Sequence, residues 1–174
     1  MSPATRPRAV LVGSMGAGKT TVGAELARRW GVGFRDTDAD VVAAEGREVA
    51  DIFVTDGEAH FRALEREAVA RALAEHDGVL ALGGGAVVDP TTRELLAGHV
   101  VVFLEVGLAE AVQRVGLGAS RPMLLGNVRG RIKALLDERT PVYAGLATVR
   151  VPTDGREPAQ VADEVEARLE HARA

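Results

Sequence analysis

The sequence predicts an α/β fold in which a parallel sheet is flanked by helices. Short apolar runs alternate along the chain with longer segments of helical periodicity, the signature of repeated βαβ units. The octapeptide Gly13-Ser14-Met15-Gly16-Ala17-Gly18-Lys19-Thr20 fits the phosphate-binding pattern G-x-x-x-x-G-K-[ST] and follows the apolar run Ala9-Val10-Leu11-Val12. Val100 to Leu104 is almost continuously apolar, as a central parallel strand covered on both faces requires.

Each element has a local reason. Arg8 to Val12 reads as the first strand. Lys19 to Trp30 reads as the first helix, with Val22, Leu26 and Arg29/Trp30 near helical spacing. Gly33 to Asp36 is a short second strand, and Asp38 to Glu45 a short helix stopped by Gly46. Thr55-Asp56-Gly57-Glu58 has capping-box spacing, which predicts a helix opening there and running to about Glu75. Its apolar face holds Phe61, Leu64, Ala68 and Val69. Val79 to Leu82 is the next strand and runs into Gly83-Gly84-Gly85. Asp89-Pro90 predicts an N-cap followed by proline in the first helical turn. Val149 to Val151 reads as the last strand and Pro158 to about Leu169 as the closing helix. Gly116 to Gly130 carries four glycines around Ser120-Arg121-Pro122 and is too long for an ordinary connector, which predicts a mobile flap.

Composition narrows the functional classes. The 174 residues are 47% hydrophobic with a net charge of −4, so one folded domain over 1–174 is expected, without a basic surface for nucleic acid. There are no cysteines, hence no disulfide framework or thiol metal site. No apolar segment suggests a signal peptide or membrane span, so a cytoplasmic protein is expected. Arginines outnumber lysines 19 to two, so an arginine draws weight from its position rather than from its presence.

The chemistry-bearing residues converge. In open parallel sheets, ligands bind beyond the carboxyl ends of the strands. The phosphate loop, Asp36-Thr37-Asp38 and Gly83-Gly84-Gly85 leave the first three strands and should face one crevice. The loop glycines let successive amides turn inward on phosphate oxygens at the positive end of a helix. Lys19 can reach the β- and γ-phosphates, and the Thr20 hydroxyl can ligate Mg²⁺. Asp36 and Asp38 cannot both cap the next helix. Either Asp38 caps it and Asp36 is a solvated turn residue, or one carboxylate helps hold hydrated Mg²⁺ while the other takes a proton from an acceptor hydroxyl. The triple glycine is either a flexible turn or bare backbone that a small polyol can approach closely. Arg62 is either an exposed arginine in an arginine-rich chain or, oriented by Glu65 three residues on, a fork that suits a carboxylate ligand.

Together these residues resemble shikimate kinases, small members of the nucleoside-monophosphate-kinase group. The resemblance rests on Gly13 to Thr21, Asp36-Thr37-Asp38, Ile52-Phe53, Gly57-Glu58, Phe61-Arg62-x-x-Glu65 and Leu82-Gly83-Gly84-Gly85. It continues through Ser120-Arg121-Pro122-Met123-Leu124 and Arg139-x-Pro141-x-Tyr143. It implies a P-loop NTPase fold, with a five-stranded parallel sheet, a substrate-binding segment at about 38–65 and a lid at about 116–130. It implies a monomer that moves the γ-phosphoryl of ATP to the 3-hydroxyl of shikimate for aromatic amino-acid synthesis. Asp38, Arg62, Gly84 and Arg139 would bind shikimate, with Asp38 as the base. Gly16, Ala17, Gly18, Lys19, Thr20 and Thr21 would bind ATP, with Arg114 and Arg156 flanking its adenine. Lys19 and the lid residue Arg121 would stabilise the migrating phosphoryl group. Thr20 would ligate Mg²⁺, assisted through water by Asp36. Thr20 stands where many relatives carry serine, and Gly126 to Arg131 matches the family pattern poorly.

The alternative is a gluconate-type or nucleotide kinase on the same scaffold. Arg62 with the triple glycine favours a small hydroxy-acid over a nucleobase. A GTPase switch would need an N-K-x-D motif, which the chain lacks. An ATPase motor finds only a faint echo in Val101 to Glu105.

Overall fold

The computed structural model describes residues 4–117 and 127–173. Its sheet contains β1 (Ala9–Val12), β2 (Phe34–Asp36), β3 (Val79–Ala81), β4 (Val101–Glu105) and β5 (Val149–Pro152), in the order β2-β3-β1-β4-β5. Every neighbouring pair is parallel. The helices are α1 (Lys19–Trp30), α2 (Thr37–Glu45), α3 (Val49–Asp56), α4 (Glu58–Glu75), α5 (Pro90–Leu96), α6 (Leu108–Leu117), α7 (Val128–Leu146) and α8 (Pro158–Arg173). A 3₁₀ turn at Ala86–Val88 precedes α5. Among the described residues, no helix is long and apolar enough to cross a membrane.

The period-two geometry of the strands divides the core into two layers. Ala9, Leu11, Val102 and Leu104 face one side, packed with α1 and α8 through Val22, Leu26, Val161 and Val165. Val10, Val12, Val101 and Phe103 face the other, packed with α4 and α7 through Val69, Ala72 and Tyr143. All of β1 and β3 is buried, which explains why they read as unbroken apolar runs. A smaller cluster of Val41, Ile52, Phe61 and Ala68 unites α2, α3 and α4. Arg29 braces α1 against α8, with Nη1 2.7 Å from both Asp163 and Glu166.

The five strands fall where the sequence predicts them, to within a residue at each end. Asp89 caps α5, accepting from the Thr91 amide at 2.8 Å. Two caps differ. Thr55 does not open α4, because it lies in the last turn of α3, a helix that the sequence pattern does not announce. Ile52, fully buried, anchors that helix to the small cluster and carries it through the capping sequence. The chain turns instead at Gly57, whose φ of 89° only glycine adopts without strain. At α2, Asp36 is the cap, its Oδ1 accepting from the Asp38 amide at 2.8 Å; Asp38 sits inside the first turn. Both edges of the segment expected to form a flap are helical. Gly116 belongs to α6, and Gly130 lies in the first turn of α7, where Asn127 caps its amide at 3.0 Å. Residues 118–126, Arg121 included, lie outside the described residues.

Register at the sheet edge depends on close backbone contact between the segments entering β2 and β3. The Val79 amide donates to the Gly33 carbonyl at 2.9 Å, and a Cβ at Gly78 would collide with that same carbonyl oxygen. Gly78→Ala should therefore destabilise the fold by about 1–3 kcal/mol, as overpacking does. Denaturant unfolding measures this; an unchanged midpoint would contradict the packing described.

Candidate active site

The phosphate loop begins where β1 ends. Gly18 precedes α1 with φ of 87°, and α1 has neither a side-chain cap nor an acidic residue in its first turn. The positive end of a 12-residue helix is thus left open. Lys19 folds over the loop, Nζ donating to the carbonyls of Gly13 at 2.7 Å and Ser14 at 3.1 Å. Thr20 and Thr21 are exposed beside it.

The acceptor side is built from the ends of β2 and β3 together with α4 and α7. Asp36 pairs with Ala81 across the ladder, which brings Asp38 against the triple glycine. A Cβ at Gly83 would stand 2.5 Å from Asp38 Oδ1, so only glycine leaves the carboxylate its place. Thr37, fully buried, accepts from the Gly83 amide at 3.3 Å and ties the two strand ends together. Arg62 Nη1 donates to Glu65 Oε1 at 2.7 Å, and its guanidinium lies 5.4 Å from the Phe61 ring centroid. Glu65 is 2% exposed, so this pair fixes the arginine from below. A Cβ at Gly85 would collide with the same guanidinium. From α7, Arg139 approaches Gly84, with Nη1 3.6 Å from where a Cβ would stand. Arg139 Nε is buried without a partner among the described residues. Tyr143 donates to the Gly84 carbonyl at 2.5 Å.

A second hollow, about 190 Å³, lies on the other side of the loop. Ala17, Thr21, Arg114, Thr153, Arg156 and Pro158 line it. Arg114 is held by the Gly16 carbonyl at 2.8 Å, the Thr153 carbonyl at 3.0 Å and Glu110 at 2.9 Å. Arg156 is exposed at the rim.

The structure therefore brings Lys19, Asp36, Asp38, Arg62, Gly84 and Arg139 to one crevice, and Thr21, Arg114 and Arg156 to the adjoining hollow. It also gives roles to Thr37, Tyr143 and Thr153, which the sequence alone does not assign. Tyr143 is visible there as the companion of Arg139 at helical spacing, whereas Thr37 and Thr153 carry no local signal because their partners are remote in sequence.

The family model for shikimate kinase matches residues 15–170. The chain belongs to the shikimate kinase family. A shikimate kinase of Frankia casuarinae is 62% identical over 160 residues, covering 92% of this chain and 71% of that protein. A solved shikimate kinase from Acinetobacter baumannii, in complex with shikimate, superposes with a TM-score of 0.89 at 31% identity, covering 96% of this chain and 94% of that one. A gluconokinase from Sinorhizobium meliloti superposes with a TM-score of 0.58 at 20% identity, covering 97% and 93%, and shares the fold alone. As a shikimate kinase, the chain is an ATP-dependent small-molecule kinase with the P-loop fold.

The electrostatics of this shikimate kinase are concentrated on the acceptor side. Burial lowers the Lys19 ammonium from 10.5 to about 8, although Asp38 and Asp36 act to restore it. Burial, and then the Asp36 charge, hold the Asp38 carboxyl above the ordinary carboxylate value; Lys19 and Arg62 oppose this. Burial likewise raises Glu65 against the pull of Arg62.

Because the Asp38 pKa is higher in the folded than in the unfolded chain, its ionisation costs stability. That cost is absent below the unfolded value near 3.8 and complete above the raised native one. Asp38→Asn should raise Tm at neutral pH, and the gain should vanish as the pH falls toward about 4. Thermal melts across that window test this; a Tm difference that ignores pH would assign the effect to something other than the carboxylate charge.

Proposed function

We propose that the chain transfers the γ-phosphoryl group of ATP to the 3-hydroxyl of shikimate, with Asp38 as base and Arg62 and Arg139 gripping the shikimate carboxylate. The observation that carries the reading is the pair of guanidinium groups around Gly83-Gly84-Gly85. Arg62 is oriented by buried Glu65, and Arg139 keeps a buried Nε without a partner among the described residues. Two convergent arginines beside a half-buried aspartate suit an acceptor with a carboxylate at one end and a hydroxyl at the other.

The residues then divide the work. The amides of the phosphate loop and the open end of α1 hold the triphosphate, while Thr21, Arg114, Arg156 and Pro158 receive the adenine. Asp38 accepts the hydroxyl proton as the acceptor oxygen bonds to phosphorus and the bond to the β-phosphate oxygen breaks, releasing ADP. Lys19, together with Arg121, offsets the charge on the migrating phosphoryl group. Such transfer requires alignment and charge compensation more than covalent help from the protein.

The oxygen donors fit Mg²⁺. The exposed Thr20 hydroxyl stands at the loop, and Asp36 commits Oδ1 to the Asp38 amide while Oδ2 has no partner among the described residues. One or two protein oxygens plus phosphates and water suit an ion that dehydrates reluctantly. When bound, Mg²⁺ would neutralise the β- and γ-phosphate charge.

A gluconate-type kinase is the second reading, favoured by the same carboxylate site. Coupled ADP release measured with shikimate, gluconate and nucleoside monophosphates decides between them. Turnover with shikimate alone is expected; turnover with gluconate and none with shikimate would overturn the assignment. Arg139→Ala should weaken shikimate roughly 10–150-fold, the loss of a hydrogen bond to a charged group, and leave ATP nearly unchanged. Calorimetric titration of both ligands checks the asymmetry, and equal weakening would contradict it.

Lys19 offers a separate test. A triphosphate stabilises its charged form, so binding ATP should draw a proton onto a lysine that titrates at about 8. Uptake of about half a proton is expected at pH 8, less at pH 7 and more at pH 9. Binding heats in buffers of different ionisation enthalpy report the number; uptake that does not rise with pH would contradict the lowered value.

A further inference from the structure

Tyr143 is buried to 1% exposure, and its hydroxyl donates to the Gly84 carbonyl at 2.5 Å. Its ring rests on Phe103 of β4, with centroids 5.2 Å apart. Tyr143 and Arg139 are four residues apart on α7 and share one helix face. Gly84 lies between them and the phosphate loop. A Cβ there would stand 3.6 Å from Arg139 Nη1, 3.6 Å from the Gly13 carbonyl oxygen and 3.7 Å from the Met15 amide.

A trans peptide is planar, with its N–H opposed to its C=O. Drawing the Gly84 carbonyl toward Tyr143 therefore turns the Gly85 amide the opposite way, away from α7. Neither the Gly84 nor the Gly85 amide donates to a group among the described residues, whereas the Gly83 amide is taken by Thr37. Glycines in this position rotate readily, so an unanchored Gly84–Gly85 peptide would sample several planes. Tyr143 selects one.

We propose that Tyr143 is a positioning residue for the acceptor, holding the Gly84–Gly85 peptide plane so that the free Gly85 amide and Arg139 face shikimate together. The inference rests on the shikimate-kinase reading of this site and adds a residue that does not touch the substrate. Tyr143→Phe keeps the ring on Phe103 and removes only the hydroxyl. KM for shikimate should rise about three- to tenfold, the size of one lost neutral hydrogen bond, with KM for ATP unchanged. Phe103→Leu loosens the same packing without touching the hydroxyl. It should lower Tm while leaving the ratio of the two KM values at the wild-type figure.

Steady-state kinetics on the three proteins decide the matter. An unchanged KM for shikimate in Tyr143→Phe overturns the proposal. So does a matched rise in both KM values, or a shikimate-specific rise in Phe103→Leu equal to that in Tyr143→Phe, since either would make Tyr143 merely structural. A wild-type protein inactive on shikimate would overturn the kinase reading and this inference with it. An active wild type beside an indifferent Tyr143→Phe overturns the inference alone.

Discussion

The parallel register of β1, β2 and β3 is the constraint on which the rest of the structure depends. Val10 opposite Leu80 and Asp36 opposite Ala81 align three strand ends at one edge. From that edge leave the phosphate loop, the Asp36-Thr37-Asp38 corner and the triple glycine. A one-residue slip would turn every side chain of a strand to the other face. Here the two-layer core prevents it, because β1 and β3 have no polar face to exchange for an apolar one without emptying a layer. Rigid strands thus position the reactive groups.

On that frame, charge is arranged for alignment rather than for stability. Asp38 is half-buried beside a second carboxylate, and Lys19 is desolvated beside both. Each is less comfortable in the fold than in water, the usual condition of groups kept ready for a charged ligand. Arg62 is the counterexample. Its Nη1 is tied to Glu65 and its Nε lies 3.6 Å from Glu58, while Nη2 lies nearest the triple glycine. The ring faces of Phe53 and Phe61, 5.8 and 5.4 Å from that guanidinium, complete its setting.

Much of this is legible in the sequence because it is local. The phosphate loop, the strand ends and the Arg62–Glu65 pair each lie within a few residues, and periodicity finds all five strands. Thr55 misleads because a capping sequence is a local preference, and the buried Ile52 carries α3 through it. Asp36 and Asp38 cannot be ranked as caps from spacing alone; the ladder pairing of Asp36 decides it. Thr37 and Thr153 are invisible because each meets its partner more than 40 residues away. Tyr143 stands within a recognised motif, but nothing local says that its hydroxyl reaches Gly84, 59 residues earlier.

The central claim is that Arg62 and Arg139 together hold a carboxylate and thereby present a hydroxyl to Asp38. A crystal structure of the protein with shikimate and ADP tests it most directly. The account predicts both guanidinium groups on the shikimate carboxylate, with the 3-hydroxyl hydrogen-bonded to Asp38 and turned toward the phosphate loop. A carboxylate bound away from both arginines, or a 3-hydroxyl out of reach of Asp38, would contradict it.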